Sequence, residues 1–255
     1  MELPKLPPVT GYRSITVYKN KVRSWHNNLN NINLVECYQL DPFAASFKWE
    51  NCAEVPRLKY PSLRIQVGDD MWLFADRRIH VVHQTGTVKN IEWPHEGLGN
   101  NSCVTTNSIS TIVIPNESKH VYINSDATSP QSWELLATLP TSLLFRACLL
   151  MGTSLYVTGG RNVRTTSKES YVIDIENGNV KRLGDMLEAH NDHAMGVIEG
   201  APAVISGYHQ STVEILNIAT GRWGPTSPRP PGVHYIAVYH PPITFLARSV
   251  SFAIN

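Results

Sequence analysis

The sequence predicts an all-β chain assembled from six copies of one antiparallel unit, and three observations lead there. Helical periodicity is scarce. Short apolar runs rich in Val, Ile and Tyr recur along the chain, broken by Gly, Asn, Asp and Pro. A hairpin pattern of apolar run, tight turn and apolar run appears six times: Ile15 to His26, Leu63 to Ala75, Cys103 to Pro115, Ala147 to Gly160, His193 to Gly207 and His234 to Ala247.

The second runs start at Val22, Met71, Thr111, Leu155, Ala203 and Ile243, so successive steps are 49, 40, 44, 48 and 40 residues. A third run follows each of the first five hairpins: Leu34 to Leu40, Arg78 to Val82, His120 to Ile123, Tyr171 to Ile175 and Thr212 to Leu216. Turns such as Asp41-Pro42, Thr85-Gly86, Asn177-Gly178 and Thr220-Gly221 then lead into a fourth run. The fourth runs reach Trp49, Trp93, Trp133 and Trp223, with Lys181-Arg182 at that place in the fourth unit, so four of the six tryptophans are expected to hold one structural position. A four-stranded sheet cannot cover both of its own faces, but sheets packed radially cover one another. The period therefore predicts one β-propeller over 1–255, with blades of four antiparallel strands at about 13–50, 62–94, 102–134, 146–183, 193–224 and 234–255. The tryptophans read as packing between blades.

Leu6-Pro7, Arg13 and Val22 are spaced as Leu139-Pro140, Arg146 and Leu155, which places the first residues just past a blade's last strand. At the other end Ile243 opens a second strand and Val250 to Ile254 reads as a third. The fourth-strand aromatic, 20 to 27 residues after the second strand begins in the complete units, would fall beyond Asn255. The sixth blade is therefore expected to lack its outer strand: either the chain is part of a longer, multidomain protein, the favoured reading, or the sixth blade closes with three strands and leaves an edge exposed to pairing.

Composition narrows the function classes. With 42% hydrophobic and 17% charged residues and no apolar run long enough to span a bilayer, the chain reads as globular and not membrane-bound. Lys plus Arg (22) almost cancels Asp plus Glu (21), so no overall field gathers nucleic acid. The start MELPKLPPVT lacks the features of a secretory signal, and a cytoplasmic location is expected. Cys37, Cys52, Cys103 and Cys148 contain no CxxC pair and are expected as reduced thiols. The sequons at Asn100 and Asn116 would matter only in a secreted chain.

Unit four, with LYVTGG at Leu155 to Gly160, Tyr171 in the third run and Asp174 to Gly178 turning into the fourth, resembles the kelch repeat. Unit five is similar through AVISG (Ala203 to Gly207) and ATGRW (Ala219 to Trp223). In the other units Trp25-His26, Phe74-Ala75, Ile114-Pro115 and Leu246-Ala247 replace the double glycine, so the resemblance is to a divergent kelch propeller. It implies a module that binds a protein or peptide partner, as in ubiquitin-ligase substrate adaptors or cytoskeletal proteins. The alternative it implies is a galactose-oxidase-like copper enzyme, whose site needs two Tyr, two His and a Cys bonded to one Tyr.

No phosphate-binding glycine loop, GxSxG elbow or HExxH helix is present, and neither catalytic residues nor a cofactor are expected. His190 and His193 read as structural, with His193 on an innermost strand; His80 and His83 should lie on opposite faces of theirs, and no metal site is expected. In a propeller the loops joining second to third strands emerge at the same end as those joining blades. Arg77, Asn116, Arg161, Arg164, Tyr208, His209 and Arg248 lie on those loops and are the candidate partner-binding residues, suited to a peptide bearing carboxylates. The Pro-rich stretch Pro225 to Pro231 reads as a stiff link between the fifth and sixth blades.

Overall fold

A computed structural model describes residues 13–18, 21–27, 34–40, 48–51, 55–56, 63–75, 77–83, 87–98, 102–107, 109–126, 129–207, 210–225, 236–238 and 251–253. These fall into two compact units, Met1–Glu92 and Trp93–Asn255. Every regular element among the described residues is a strand, and no helix there is long and apolar enough to cross a membrane.

In the first unit, Arg13–Tyr18, Lys21–Asn27, Leu34–Leu40 and Trp49–Asn51 form an antiparallel sheet in chain order. An additional short strand, Val55–Pro56, pairs with Leu34–Leu40 and has no counterpart in the repeat pattern. The second sheet is Leu63–Val67, Asp70–Ala75, Arg78–Val82 and Val88–Glu92, again in chain order, and the first strands of the two sheets are neighbours. Burial peaks in the second strand of this sheet and is least in the last. Met71, Trp72, Leu73 and Phe74 are consecutive and all buried, whereas Ile91 alone is buried in the last strand. A strand buried on successive residues has both faces covered, since its side chains alternate between them.

The second unit repeats the plan three times. Its sheets are Cys103–Thr106, Thr111–Ile114, His120–Asn124 and Glu134–Thr138; then Ala147–Met151, Ser154–Thr158, Ser170–Asp174 and Val180–Arg182; then Ala194–Ile198, Ala201–Gly207, Gln210–Asn217 and Arg222–Pro225. Each first strand lies beside the next sheet's first strand. Beyond them Ile236–Val238 pairs with Ser251–Ala253. The run expected as a third strand thus pairs directly with the first strand of its unit; of the expected link Pro225 to Pro231, Pro225 ends the strand Arg222–Pro225, while Thr226 to Pro231 and the second strand expected from Ile243 lie outside the described residues.

Alternation builds two cores. Leu155 and Val157 join Ile112, Ile114, Val121, Leu150, Tyr171 and Ile173 between the third and fourth sheets. Tyr156, one residue out of phase, joins Leu149, Met195, Val204, Leu216 and Trp223 between the fourth and fifth. Trp223 is buried there and its indole N–H donates to the Ser170 hydroxyl of the preceding sheet at 2.9 Å. Trp223 thus packs between sheets, but the fourth-run tryptophans do not all share one position. Trp49 pairs with Leu40 and Trp223 with Leu216, while Trp133 directly precedes Glu134, so these three open the fourth strand. Trp93 instead follows Glu92, which pairs with Arg78 at the start of the third strand. It sits at the other end, because Val88 opens that strand opposite Val82.

Cys103 and Cys148, expected as free thiols, are joined in a disulfide between the first strands of the third and fourth sheets. Spacing cannot reveal this pairing, because sheet packing decides which cysteines face each other.

The turn glycine Gly152 and the strand-end glycine Gly159 have nearly the same backbone, φ 59° and 57°, but different surroundings. A Cβ at Gly152 meets nothing within 4 Å, whereas one at Gly159 would stand 2.3 Å from the His190 carbonyl oxygen. Gly152→Ala is expected to cost about 1 kcal/mol for the left-handed backbone alone. Gly159→Ala should cost at least about 3 kcal/mol, because the neighbouring loop must also move. Denaturant unfolding measures both, and equal losses would show that the close approach has no energetic weight.

Candidate functional site

Among the described residues, loops joining second to third strands and loops entering the fourth and fifth sheets come together at one end of the second unit. The key residue is Gly160. Its N–H donates to the His190 carbonyl at 2.8 Å, and a Cβ there would collide with the Leu144 carbonyl oxygen and the Arg146 side chain. Next to it Arg161 and Leu144 exchange backbone hydrogen bonds, each 2.8 Å, so the loop after the fourth sheet's second strand is stitched to the loop that enters the sheet.

Arg161 also bridges Thr166, which makes the 161–166 segment a small hairpin. Its tip is fixed by Asn162, whose backbone N–H donates to the Thr165 carbonyl at 3.0 Å. The Asn162 side-chain oxygen accepts from the backbone N–H groups of Arg164 and Thr165, both at 2.8 Å. An Asx turn of this kind holds a loop tip without tertiary support. Val163 at the tip is 95% exposed. Arg161 and Arg164 are exposed on either side of it, and among the described residues neither forms an ion pair. The Arg161 guanidinium lies 5.1 Å from the centroid of the Phe145 ring, a cation–π contact that orients it.

Phe145 has φ 57° and Asp192 φ 51°. They occupy matching places, two residues before the first strands Ala147–Met151 and Ala194–Ile198, and the Asp192 N–H donates to the Phe145 carbonyl at 3.2 Å. Left-handed backbone at non-glycine residues is held only where the surroundings demand it. Asn116 donates its N–H to the Gly97 carbonyl at 2.8 Å and lies 3.1 Å from the Ser102 hydroxyl, while its side-chain oxygen is covered and unpartnered. The Ser142 hydroxyl donates to the Glu117 carbonyl, linking this loop to the segment that carries Leu144 and Phe145.

Of the sequence candidates, Asn116, Arg161 and Arg164 therefore belong to one connected set of loops. Arg77 is exposed with φ 61° and belongs to the first unit. Tyr208, His209 and Arg248 lie outside the described residues. Phe145, Val163 and Asp192 had no signal in the sequence, because a positive φ, a ring contact and a turn tip are products of the fold.

Beneath the loops is a buried polar layer. Glu214, on the fifth sheet's third strand, accepts from the backbone N–H groups of Leu187 and Glu188 at 2.6 and 2.9 Å and lies 3.0 Å from His190 Nε2. Burial pushes its pKa up, but the hydrogen bonds from His190 and the two N–H groups prevail and hold the carboxyl below its usual range. His193 lies one residue before its strand, with Nε2 2.8 Å from the Thr158 hydroxyl. Burial, with a smaller contribution from His190, pushes its pKa down to about 3, so the ring is neutral. Arg146 is buried and donates to the Thr141 carbonyl and hydroxyl at 2.7 and 2.8 Å, pinning the same loop.

Among the described residues no three His, Cys, Asp or Glu side chains gather as ion ligands. His190 and His193 turn to different partners, as do His80, 2.6 Å from the Asn90 amide oxygen, and His83, 3.0 Å from Asp70. Cys103 and Cys148 are bonded to each other, so neither is available for the Tyr–Cys bond of a copper oxidase site.

Up-and-down four-stranded sheets meeting through apolar faces, with loops gathered at one end, define a β-propeller-like all-β protein. A solved structure, that of YjhT, shares this fold with a TM-score of 0.73 at 11% identity, covering 92% of this chain and 89% of that one. No protein-family profile matches the chain, and no curated protein matches it.

The buried layer makes stability depend on pH. The folded pKa of His193 is about 3 against an ordinary value of 6.5, so the unfolded chain binds the proton first, and stability falls as pH drops from about 6.5 toward 3. Glu214 is likewise depressed, so its contribution is complete above an ordinary carboxylate value of 4.5 and is lost below it. Unfolding free energies measured from pH 8 to 4 should begin to decline near pH 6.5, and His193→Gln should flatten the decline between 6.5 and 4.5. An unchanged slope in that variant would mean that His193 is not held neutral.

Proposed function

We propose that the chain is a divergent kelch-type propeller acting as a non-enzymatic interaction module that binds a protein or peptide partner through the loop end of the second unit. One observation carries this reading: the 161–166 hairpin holds a 95% exposed Val163 between two arginines that have no ion-pair partner among the described residues. A rigid tip loses little conformational entropy on binding. An exposed apolar side chain flanked by guanidinium groups presents both components of a binding patch, a desolvating centre and bidentate donors for carboxylates. The kelch reading is supported by the double glycine at Gly159-Gly160, where both residues have positive φ and stand against the entering loop, the backbone demand that such a pair meets. Asn116 and the neighbouring loops would form the rim.

The test is affinity capture with the purified protein followed by titration of the captured partner. Arg161→Ala with Arg164→Ala should weaken binding roughly 10- to 100-fold, an amount usual for losing charge-assisted contacts. The unfolding midpoint should move little, because both side chains are exposed. A partner that binds both forms equally would remove this face from the proposal.

A further inference from the structure

The Cys103–Cys148 disulfide closes a 45-residue loop between the first strands of neighbouring sheets. Cys103 faces Ile114 across its hairpin and Cys148 faces Val157, and both project into the core between the sheets with Ile112, Leu150 and Tyr171. Cys103 is only 8% exposed. Cys148 is only partly buried, so a soluble oxidant or reductant keeps access to that sulfur while Cys103 is covered once the sheets have packed. The strands it ties lead directly into the loops just described. Ile114 precedes Pro115 and Asn116, and Val157 stands two residues before Gly159.

We propose that this bond forms as the chain folds in an oxidising compartment, and that the partner of the loop end is a protein met there. The second clause rests on the interaction reading above; the first does not. On closure the two thiols lose two protons and two electrons, and a sulfur–sulfur bond forms between Cys103 and Cys148. The disulfide of an oxidising thiol–disulfide exchange protein breaks and departs as a dithiol. The cytosol keeps such thiols reduced, so a disulfide of this kind argues against the expected cytoplasmic location and against the ubiquitin-ligase and cytoskeletal roles that the kelch resemblance implies.

Two measurements test the compartment. Protein taken from its native source in the presence of an alkylating agent, digested without reductant and mass-mapped, should yield one peptide pair linked through Cys103 and Cys148; two alkylated cysteines would overturn the proposal. In the second, the double variant Cys103→Ala, Cys148→Ala should melt roughly 10 °C below the oxidised wild type, as expected for losing a loop closure of this length. Reductant should bring the wild type down toward the variant. Equal melting temperatures under oxidising conditions would overturn it. If the variant does not fold, hydrogen exchange of the wild type with and without reductant replaces it: faster exchange in Ala147–Met151 on reduction supports the clasp, and no change overturns it. Failure of the arginine substitutions to affect binding would sink the interaction reading and leave these results standing.

Discussion

The second unit depends on one constraint: a sheet set between two others is apolar on both faces. Leu155 and Val157 point to one neighbour and Tyr156 to the other, so the fourth sheet cannot exist without partners on either side. The order of the strands follows from this. A central strand such as Thr111–Ile114 is buried at every residue, while Val180–Arg182, the outermost strand of its sheet, is exposed throughout. In these two sheets burial is greatest in the second strand and least in the outermost, so the second strand carries little that must meet solvent. Chemistry and recognition are left to the loops.

The loops in turn inherit their shape from the packing of neighbouring sheets. The segment from Met186 to His193 must descend from the outer strand of one sheet to the inner strand of the next, and its backbone groups need partners on the way. Glu214 satisfies two of them from the next sheet, and Gly160 satisfies the His190 carbonyl from the preceding one. The corresponding segment in the previous sheet, Leu139 to Arg146, is held by different residues. Leu139 donates its N–H to the Lys119 carbonyl, as Met186 does to that of Lys168, and Arg146 binds Thr141 where no His–Glu pair exists. One geometric problem has been met with two side-chain sets, which explains how the repeat diverges in sequence while its backbone recurs.

The same contrast explains what could be read before the fold was known. Strands and turns are local: period-two alternation and turn residues placed the described strands within a few residues, and the kelch-like double glycine marked a site of close approach. Interfaces are not local. The fourth-strand tryptophan at 93 looked equivalent to those at 133 and 223 because its distance from the second strand is similar, yet a difference in where the strand opens moves it to the other end. The disulfide is invisible for the same reason, since 45 residues of spacing carry no information about which inner strands are neighbours. The functions of Glu214 and Phe145 also arise from contacts between segments that are far apart in the chain.

The loop end has a further physical consequence for selectivity. Net charge on the whole chain is +1, so long-range attraction does not bring anionic molecules to it indiscriminately. The two arginines of the 161–166 hairpin act over contact distances instead, beyond which salt screens exposed charges. One of them is already oriented by Phe145, whose left-handed backbone is fixed by the Asp192 N–H. The donor geometry thus depends on an adjoining loop, and recognition there is coupled to the docking of the fourth and fifth sheets. A neutral protein with a preformed cationic tip discriminates by fit, because only a partner able to place an acidic group beside an apolar contact gains from both.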